Sequence, residues 1–149
     1  MTGGGVTATT GDFIMDIVPM QGWQIFIDEG DRYLKTAMNG SRRRPKVFTP
    51  EILYNLVAMA IEKHAMGYLL YHRRMPDNHT LRDLMDALRE VGGLDEDLYG
   101  RVVEMDRFQE ICSVFEYRRE IPERTDVATF LDLGGQIRAF VKNRLAPSP

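Results

Sequence analysis

Cysteine and long apolar runs are both scarce in this chain of 149 residues. The single cysteine, Cys112, excludes an intrachain disulfide and a cysteine-based zinc site, and it fits a reducing cytoplasm. No stretch approaches the roughly 20 apolar residues that span a bilayer, so we expect neither secretion nor membrane insertion. The formal net charge is only -3, so any affinity for nucleic acid must come from a local basic patch.

The rest of the composition is that of an ordinary globular protein, with 44% hydrophobic and 28% charged residues. Apolar residues recur at the helical period, and the alternation typical of strands is missing. The sequence therefore predicts an all-α fold, an up-and-down antiparallel bundle of four main helices and one short helix. Residues 1–11, rich in Gly and Thr, are predicted to be a flexible tail before a single domain at 12–149.

Helix ends can be assigned from local chemistry. Thr49, Pro50 and Glu51 supply a capping hydroxyl, a proline in the first turn and an acid favoured by the helix dipole. The second helix is therefore predicted to begin there. The five predicted helices run from near Pro19 to Asn39, from Pro50 toward Arg73, from Asp77 or Asn78 to Gly92, from Leu98 through Cys112 and Phe115, and from Thr125 to Leu145.

Short connections favour helices that alternate in direction. Under that rule the turns at 73–78 and 120–125 lie at one end of the bundle, and the basic loop at 42–46 lies at the other. The third and fifth helices would begin at the end that holds the turns at 73–78 and 120–125, and the positive ends of their dipoles would add to the arginines there. This arrangement predicts a phosphate or carboxylate site. The predicted ligand-binding residues are Arg73, Arg74, Asn78, His79, Arg118, Arg119 and Arg124.

Two alternatives to this site remain open. Acidic side chains in the same region could convert it into a network of weak surface ion pairs. The acidic residues concerned are Asp77, Asp83, Glu116, Glu120 and Glu123. The basic loop at 42–46 could contact RNA or an acidic partner through its own charges, or it could be a solvated linker.

Three short patterns resemble a known family, the HEPN (higher eukaryote and prokaryote nucleotide-binding) domains. The first is Ala60-Ile61-Glu62-Lys63 inside a long second helix. The second is the run from Pro76 to Leu84, which is similar to the proline, histidine and leucine run that opens the family's third helix. The third is Phe115-Glu116-Tyr117-Arg118-Arg119, which resembles the aromatic and arginine residues that close its fourth helix. The resemblance that rests on these patterns extends over about residues 55–145.

The HEPN resemblance implies a helical bundle that is commonly a homodimer. Family members include ribonucleases, toxins paired with nucleotidyltransferases in toxin-antitoxin systems, and non-catalytic binding or scaffolding modules. The ribonucleases carry an arginine, four to six further residues, and then a histidine, a spacing that Arg74 and His79 match. In that role His79 would transfer protons and Arg74 would stabilise developing phosphate charge. The asparagine that usually follows the family's arginine is absent after both Arg73 and Arg74.

We therefore expect a non-catalytic module that binds a nucleotide, a nucleic acid such as RNA, or a partner protein such as a nucleotidyltransferase. One alternative is a metal-independent ribonuclease of toxin type that uses Arg74 and His79. Another is a purely structural dimer. No cofactor or metal is expected, because His64 and His72 lie about two turns apart on one helix and cannot share a metal unaided. Both histidines are predicted at the edge of the core.

Overall fold

A computed structural model describes the backbone of residues 3–109 and 120–145, and the side chains of 22–109 and 120–145. The described residues form helices and no strand, so the all-α prediction is confirmed. The helices are α1 (Gly3–Arg43), α2 (Pro50–Tyr71), α3 (Leu81–Val91), α4 (Glu96–Glu104) and α5 (Val127–Leu145), with short 3-10 helices at Met105–Phe108 and Arg124–Asp126. None of these described helices has the length and apolarity of a membrane-spanning segment.

The core is centred on α2, which packs against α1, α3 and α5. Glycines let the long helices approach closely. A Cβ atom at Gly67 would lie 2.8 Å from the backbone oxygen of Trp23 on α1. One at Gly134 on α5 would lie 3.0 Å from both Leu34 and Val57. The closest packing in the described fold is therefore among α1, α2 and α5.

Of the two predicted helix ends that flank the loop between α1 and α2, one is confirmed and one is wrong. The start of α2 is confirmed, because Thr49 Oγ1 accepts a hydrogen bond of 3.3 Å from the Ile52 amide. The predicted stop at Gly40 is wrong, since α1 continues to Arg43. A Cβ atom at Gly40 would collide with the ring of Phe48, so this glycine serves close packing and does not end the helix.

The first helix begins earlier than predicted. Its backbone is helical from Gly3 onward, so residues 3–11 of the predicted tail belong to α1. Glycine and threonine have low helix propensities, so the sequence of this segment gave no local indication of a helix. The predicted limits of the single domain stay a prediction.

The predicted fourth helix is also shorter than expected. It ends as the 3-10 turn Met105–Phe108, and Gln109 is extended, with φ -74° and ψ 137°. Asp106 in this turn caps α3, because its two carboxylate oxygens accept the amides of Leu81 and Arg82 at 3.1 and 3.0 Å. Burial raises the pKa of Asp106. Cys112 and Phe115, which were predicted to continue the helix, lie outside the described residues.

Strict alternation of helix direction is wrong at α3. The chain after α2 has no regular secondary structure over residues 74–76 and bends at 77–80, which allows it to return along α2. His79 therefore lies beside Glu62, near the middle of α2. At the other end of α3, Glu90 lies beside Arg74. Helix α3 thus runs parallel to α2, and this reverses the expected direction of every helix after it.

Candidate anion-binding site

The reversal moves Arg124 away from the predicted site. Its terminal nitrogens donate to the backbone oxygens of Pro45 and Phe48, at 3.0 and 3.3 Å, in the loop between α1 and α2. The prediction that Arg124 joins Arg73 and Arg74 is wrong. Residues Arg118 and Arg119 lie outside the described part of the chain.

The proposed catalytic pair is not brought together. Arg74 lies 3.7 Å from Glu90, and both side chains are exposed. His79 Nδ1 lies 2.7 Å from Glu62 Oε2, and Asn78 is exposed in the same segment. From Glu62 to the end of α2 the helix rises about 13 Å. Arg74 and His79 thus contact different carboxylates at different levels of the bundle.

Arg144, in the last turn of α5, takes the place predicted for Arg124. Its Nε donates to Tyr68 Oη at 2.8 Å, and its guanidinium lies 5.3 Å from the centre of the Phe140 ring. The guanidinium also packs against Gly93, where a Cβ atom would collide with it. Arg144 is therefore held from three sides at the end of the bundle where α2 finishes.

The pKa of His72 is affected by two of the nearby arginines. Partial desolvation, Arg144 and Arg74 together lower the pKa of His72. Its ring lies 4.5 Å from that of Tyr68 and 5.2 Å from that of Tyr71. We call the group formed by Arg73, Arg74 and Arg144, with His72 and Tyr71, the arginine end. It combines guanidinium groups with aromatic faces.

Exposed aromatic surface adjoins the arginines. The side chain of Tyr71 is 42% exposed and is supported on one edge by Trp23, with ring centres 5.3 Å apart. Met75, just beyond the arginines, is 65% exposed. Rings beside guanidinium groups are typical of surfaces on which nucleic-acid bases stack while arginine contacts the phosphates.

Arg73 has an unusual backbone. The amides of Arg73 and Arg74 donate to the carbonyls of Leu70 and Leu69, the bonding pattern of a Schellman motif at the end of α2. Arg73 occupies its left-handed position, with φ 57°, which is the only positive φ of a non-glycine residue in the described chain. Glycine is the usual residue there, because a side chain in this conformation costs about 1 to 2 kcal/mol.

Interaction with helix dipoles does not account for an arginine at this left-handed position. The predicted contribution from the N-termini of the third and fifth helices is wrong, because α3 and α5 present their C-terminal ends here, as α2 does. Such ends do favour cations, but by only about 0.3 to 1 kcal/mol at an exposed position. That gain is smaller than the cost of the left-handed backbone. The helix dipole therefore does not offset the cost of the left-handed backbone at Arg73.

A second polar cluster links the three long helices and was missed by sequence reasoning. Asp31 on α1 accepts bonds from His64 on α2 at 2.9 Å, and from Arg138 and Lys142 on α5 at 2.8 Å each. Although burial opposes it, these bonds lower the pKa of Asp31 to about 2. His64 is completely buried, so its predicted place at the edge of the core is wrong.

Glycine makes room for this buried imidazole. A Cβ atom at Gly30 would lie 2.7 Å from the His64 ring. Burial lowers the pKa of His64, and its Nδ1 has no hydrogen-bond partner among the described residues. The available signal in the sequence was the pair Gly30-Asp31, a glycine and an acid inside an amphipathic helix.

No protein-family model, curated protein or solved structure matches this chain. Across the side chains at 22–109 and 120–145, no three His, Cys, Asp or Glu residues are grouped so that they could hold a metal ion. The chemistry that these residues do offer is that of the arginine end, namely binding of an anionic group beside an aromatic ring.

Proposed function

We propose that this chain is a non-catalytic, HEPN-like module that binds a nucleotide or single-stranded nucleic acid through phosphate groups at the arginine end. The observation that carries the proposal is Arg73, which retains a left-handed backbone that glycine would adopt at lower cost. Strained residues of this kind cluster at functional sites. The exposed ring of Tyr71 offers a stacking surface beside it.

Charge supports the same proposal. Among the described residues, the one ion pair of the arginine end joins Arg74 to the largely exposed Glu90 at 3.7 Å, and Asp77, Asp83 and Asp86 line the same pocket. Exposed ion pairs of this kind contribute little, so a phosphate could replace Glu90 at small cost. Arg73 has no ion pair with the described side chains, and Arg144 is oriented by a neutral hydroxyl. All three guanidinium groups therefore have donors left for a ligand.

A salt titration tests this function. Labelled single-stranded RNA is titrated with the protein at several salt concentrations, and fluorescence anisotropy gives the observed association constant. Three arginine-phosphate contacts predict a slope of about -2 in log K against log salt, because each single-strand contact contributes about -0.7. A mononucleotide should compete for the same site. Binding that does not vary with salt, or absence of binding, would contradict the proposal.

Replacing Arg73 by glycine should make the protein more stable and a weaker binder. Glycine relieves the left-handed conformation, so we expect the free energy of unfolding to rise by about 1 kcal/mol. Loss of one charge-assisted contact should weaken RNA binding about tenfold. Urea unfolding and anisotropy measure the two effects.

The matched control is Arg73→Ala, which removes the same guanidinium but keeps a side chain in the left-handed position. It should lose the same affinity without the gain in stability. A glycine variant that is less stable than the original protein would refute the backbone explanation.

The remaining partners come from the HEPN resemblance. A homodimer, a nucleotidyltransferase partner and a cytoplasmic location stay predictions. Large apolar side chains exposed on the first two helices, such as Ile25 and Ile52, are available for such contacts.

A further inference from the structure

A groove between α1 and α5 lies outside the arginine end and has no role in the proposed function. It encloses about 430 Å³, within the range of pockets that hold small molecules. Leu34 and Met38 of α1 give it an apolar wall, and Gly135 of α5 gives it a floor without a side chain. Met38 is 48% exposed, so this apolar surface is open to an incoming molecule.

Two cations line the same groove. Lys35 has no hydrogen bond or ion pair with the side chains described at 22–109 and 120–145. Arg138 donates to Asp31 through Nε at 2.8 Å, and no bond from its two terminal nitrogens to a described residue is present. These nitrogens form the planar fork that binds a carboxylate with two hydrogen bonds.

The carboxylate in the groove does not cancel these charges. Asp31 is already bound by His64, Arg138 and Lys142. One anion thus faces two cations in its own cluster, and Lys35 adds a third. The groove therefore has an apolar body and an excess of positive charge on its rim.

We propose that the groove between α1 and α5 is a binding site for a small-molecule carboxylate with an apolar body. The carboxylate is bound by Lys35 and Arg138, and the apolar part lies on Leu34 and Met38 over Gly135. Methionine suits such a wall because its flexible, polarisable side chain adapts to ligands of different shape. The ligand class follows from the combination, because a neutral or cationic ligand would leave Lys35 and the terminal nitrogens of Arg138 without a described partner.

Octanoate is a suitable probe, with 1-octanol and octylammonium as chemical controls of the same length. Isothermal titration of the full chain should show saturable binding of octanoate, and binding at least about tenfold weaker for the two controls. Equal affinity for all three compounds, or no heat of binding with octanoate, would overturn the proposal.

Two glycine variants locate the site. A Cβ atom at Gly135 would meet no atom of the described side chains or backbone within 4 Å, so Gly135→Leu fills the groove without a clash at that atom. Gly100 on α4 is equally open, so Gly100→Leu is the matched control. Both variants should keep the melting temperature of the original protein or raise it, because leucine favours a helix more than glycine does. Octanoate binding should be lost only in Gly135→Leu.

A third variant tests the charge. Lys35→Gln removes the charge and shortens by one atom an exposed side chain that has no partner among the described residues, so the fold should be unaffected. It should weaken octanoate binding about tenfold and leave RNA binding at the arginine end unchanged. Undiminished octanoate affinity in Lys35→Gln or Gly135→Leu would refute the site. If the protein binds octanoate but not RNA, that result would contradict the proposed function at the arginine end and leave the groove proposal standing.

Discussion

Reversing the charge of Arg73 and Arg74 together is expected to weaken RNA binding by about 100-fold or more. A hydrogen bond to a charged group contributes about 1.5 to 3 kcal/mol, and every 1.4 kcal/mol is a factor of ten in affinity. Two lost contacts therefore account for the factor before repulsion by the new carboxylates is added. Anisotropy titration of Arg73→Glu/Arg74→Glu against the original protein measures it.

The fold should tolerate this double variant. Both side chains are exposed, and the one ion pair lost among the described residues is the exposed one to Glu90. A circular dichroism spectrum and a melting curve like those of the original protein establish that the protein is folded. The affinity change then reports the site itself.

The matched control is Arg42→Glu/Arg43→Glu at the opposite end of the bundle. It makes the same change in net charge in exposed residues of the last turn of α1. The two ends are separated by the 22 residues of α2, or about 33 Å, far beyond the screening length of about 8 Å in physiological salt. We expect less than about a threefold change. A larger loss in the control than in the Arg73 and Arg74 variant would transfer the site to the basic loop.

Removing the carboxylate of Asp31 is expected to cost about 3 kcal/mol of stability. Lowering the pKa of Asp31 from 3.8 to about 2 corresponds to about 2 kcal/mol of interaction with the ionised form. Asp31→Ala also leaves the buried Nε2 of His64 without its partner, which costs at least about 1 kcal/mol more. Proteins are commonly stable by only about 5 to 15 kcal/mol, so this is a large change.

Urea unfolding at neutral pH measures this effect. Asp28→Ala is the matched control, because Asp28 is on the same helix and is exposed. It should change the free energy of unfolding by less than about 0.5 kcal/mol. Equal effects of the two variants would show that the polar cluster contributes little.

The pH dependence separates the two titrating groups of this cluster. Asp31 has a folded pKa below its unfolded value, so its contribution is complete above about pH 4 and is lost as the pH falls toward 2. His64 also has a lowered pKa, so its contribution is complete above pH 6.5 and declines below it, where the unfolded imidazole takes up a proton. In Asp31→Ala, the free energy of unfolding should no longer fall between about pH 4 and 2, and it should still decline below pH 6.5.

Local chemistry was enough to predict some elements and not others. The start of α2 was predicted because Thr49, Pro50 and Glu51 act within a single turn. The direction of α3 was not, because it depends on contacts between distant residues. The segment before α3 lies along α2, with His79 against Glu62. The first turn of α3 is capped by Asp106, which lies in the 3-10 turn after α4. Such contacts leave no periodic signal in the sequence.

The error at α3 decided which arginine joins the site. In a strictly alternating bundle the start of α5 lies beside Arg73, which would place Arg124 there. With α3 parallel to α2, the end of α5 lies there instead, and Arg144 takes the position. The sequence therefore predicted that arginines gather at this end of α2. Which arginine of the fifth helix joins them depended on the direction of the helices.

The cluster around Asp31 shows a further limit. Gly30 reads in the sequence as a residue that weakens a helix, yet its missing side chain admits the ring of His64. Whether a histidine on another helix lies opposite a glycine depends on how the two helices pack. The pattern indicates an amphipathic helix, and only the packing identifies the buried partner.

An NMR titration of the isotope-labelled protein with single-stranded RNA tests the central claim most directly. The side-chain Nε–H of Arg144 and the ring of His72 should shift together and saturate at one dissociation constant, while the Nε–H of Arg124 stays in place. Shifts confined to Arg124 and the loop at 42–46, or no shifts at saturating RNA, would contradict binding at the arginine end.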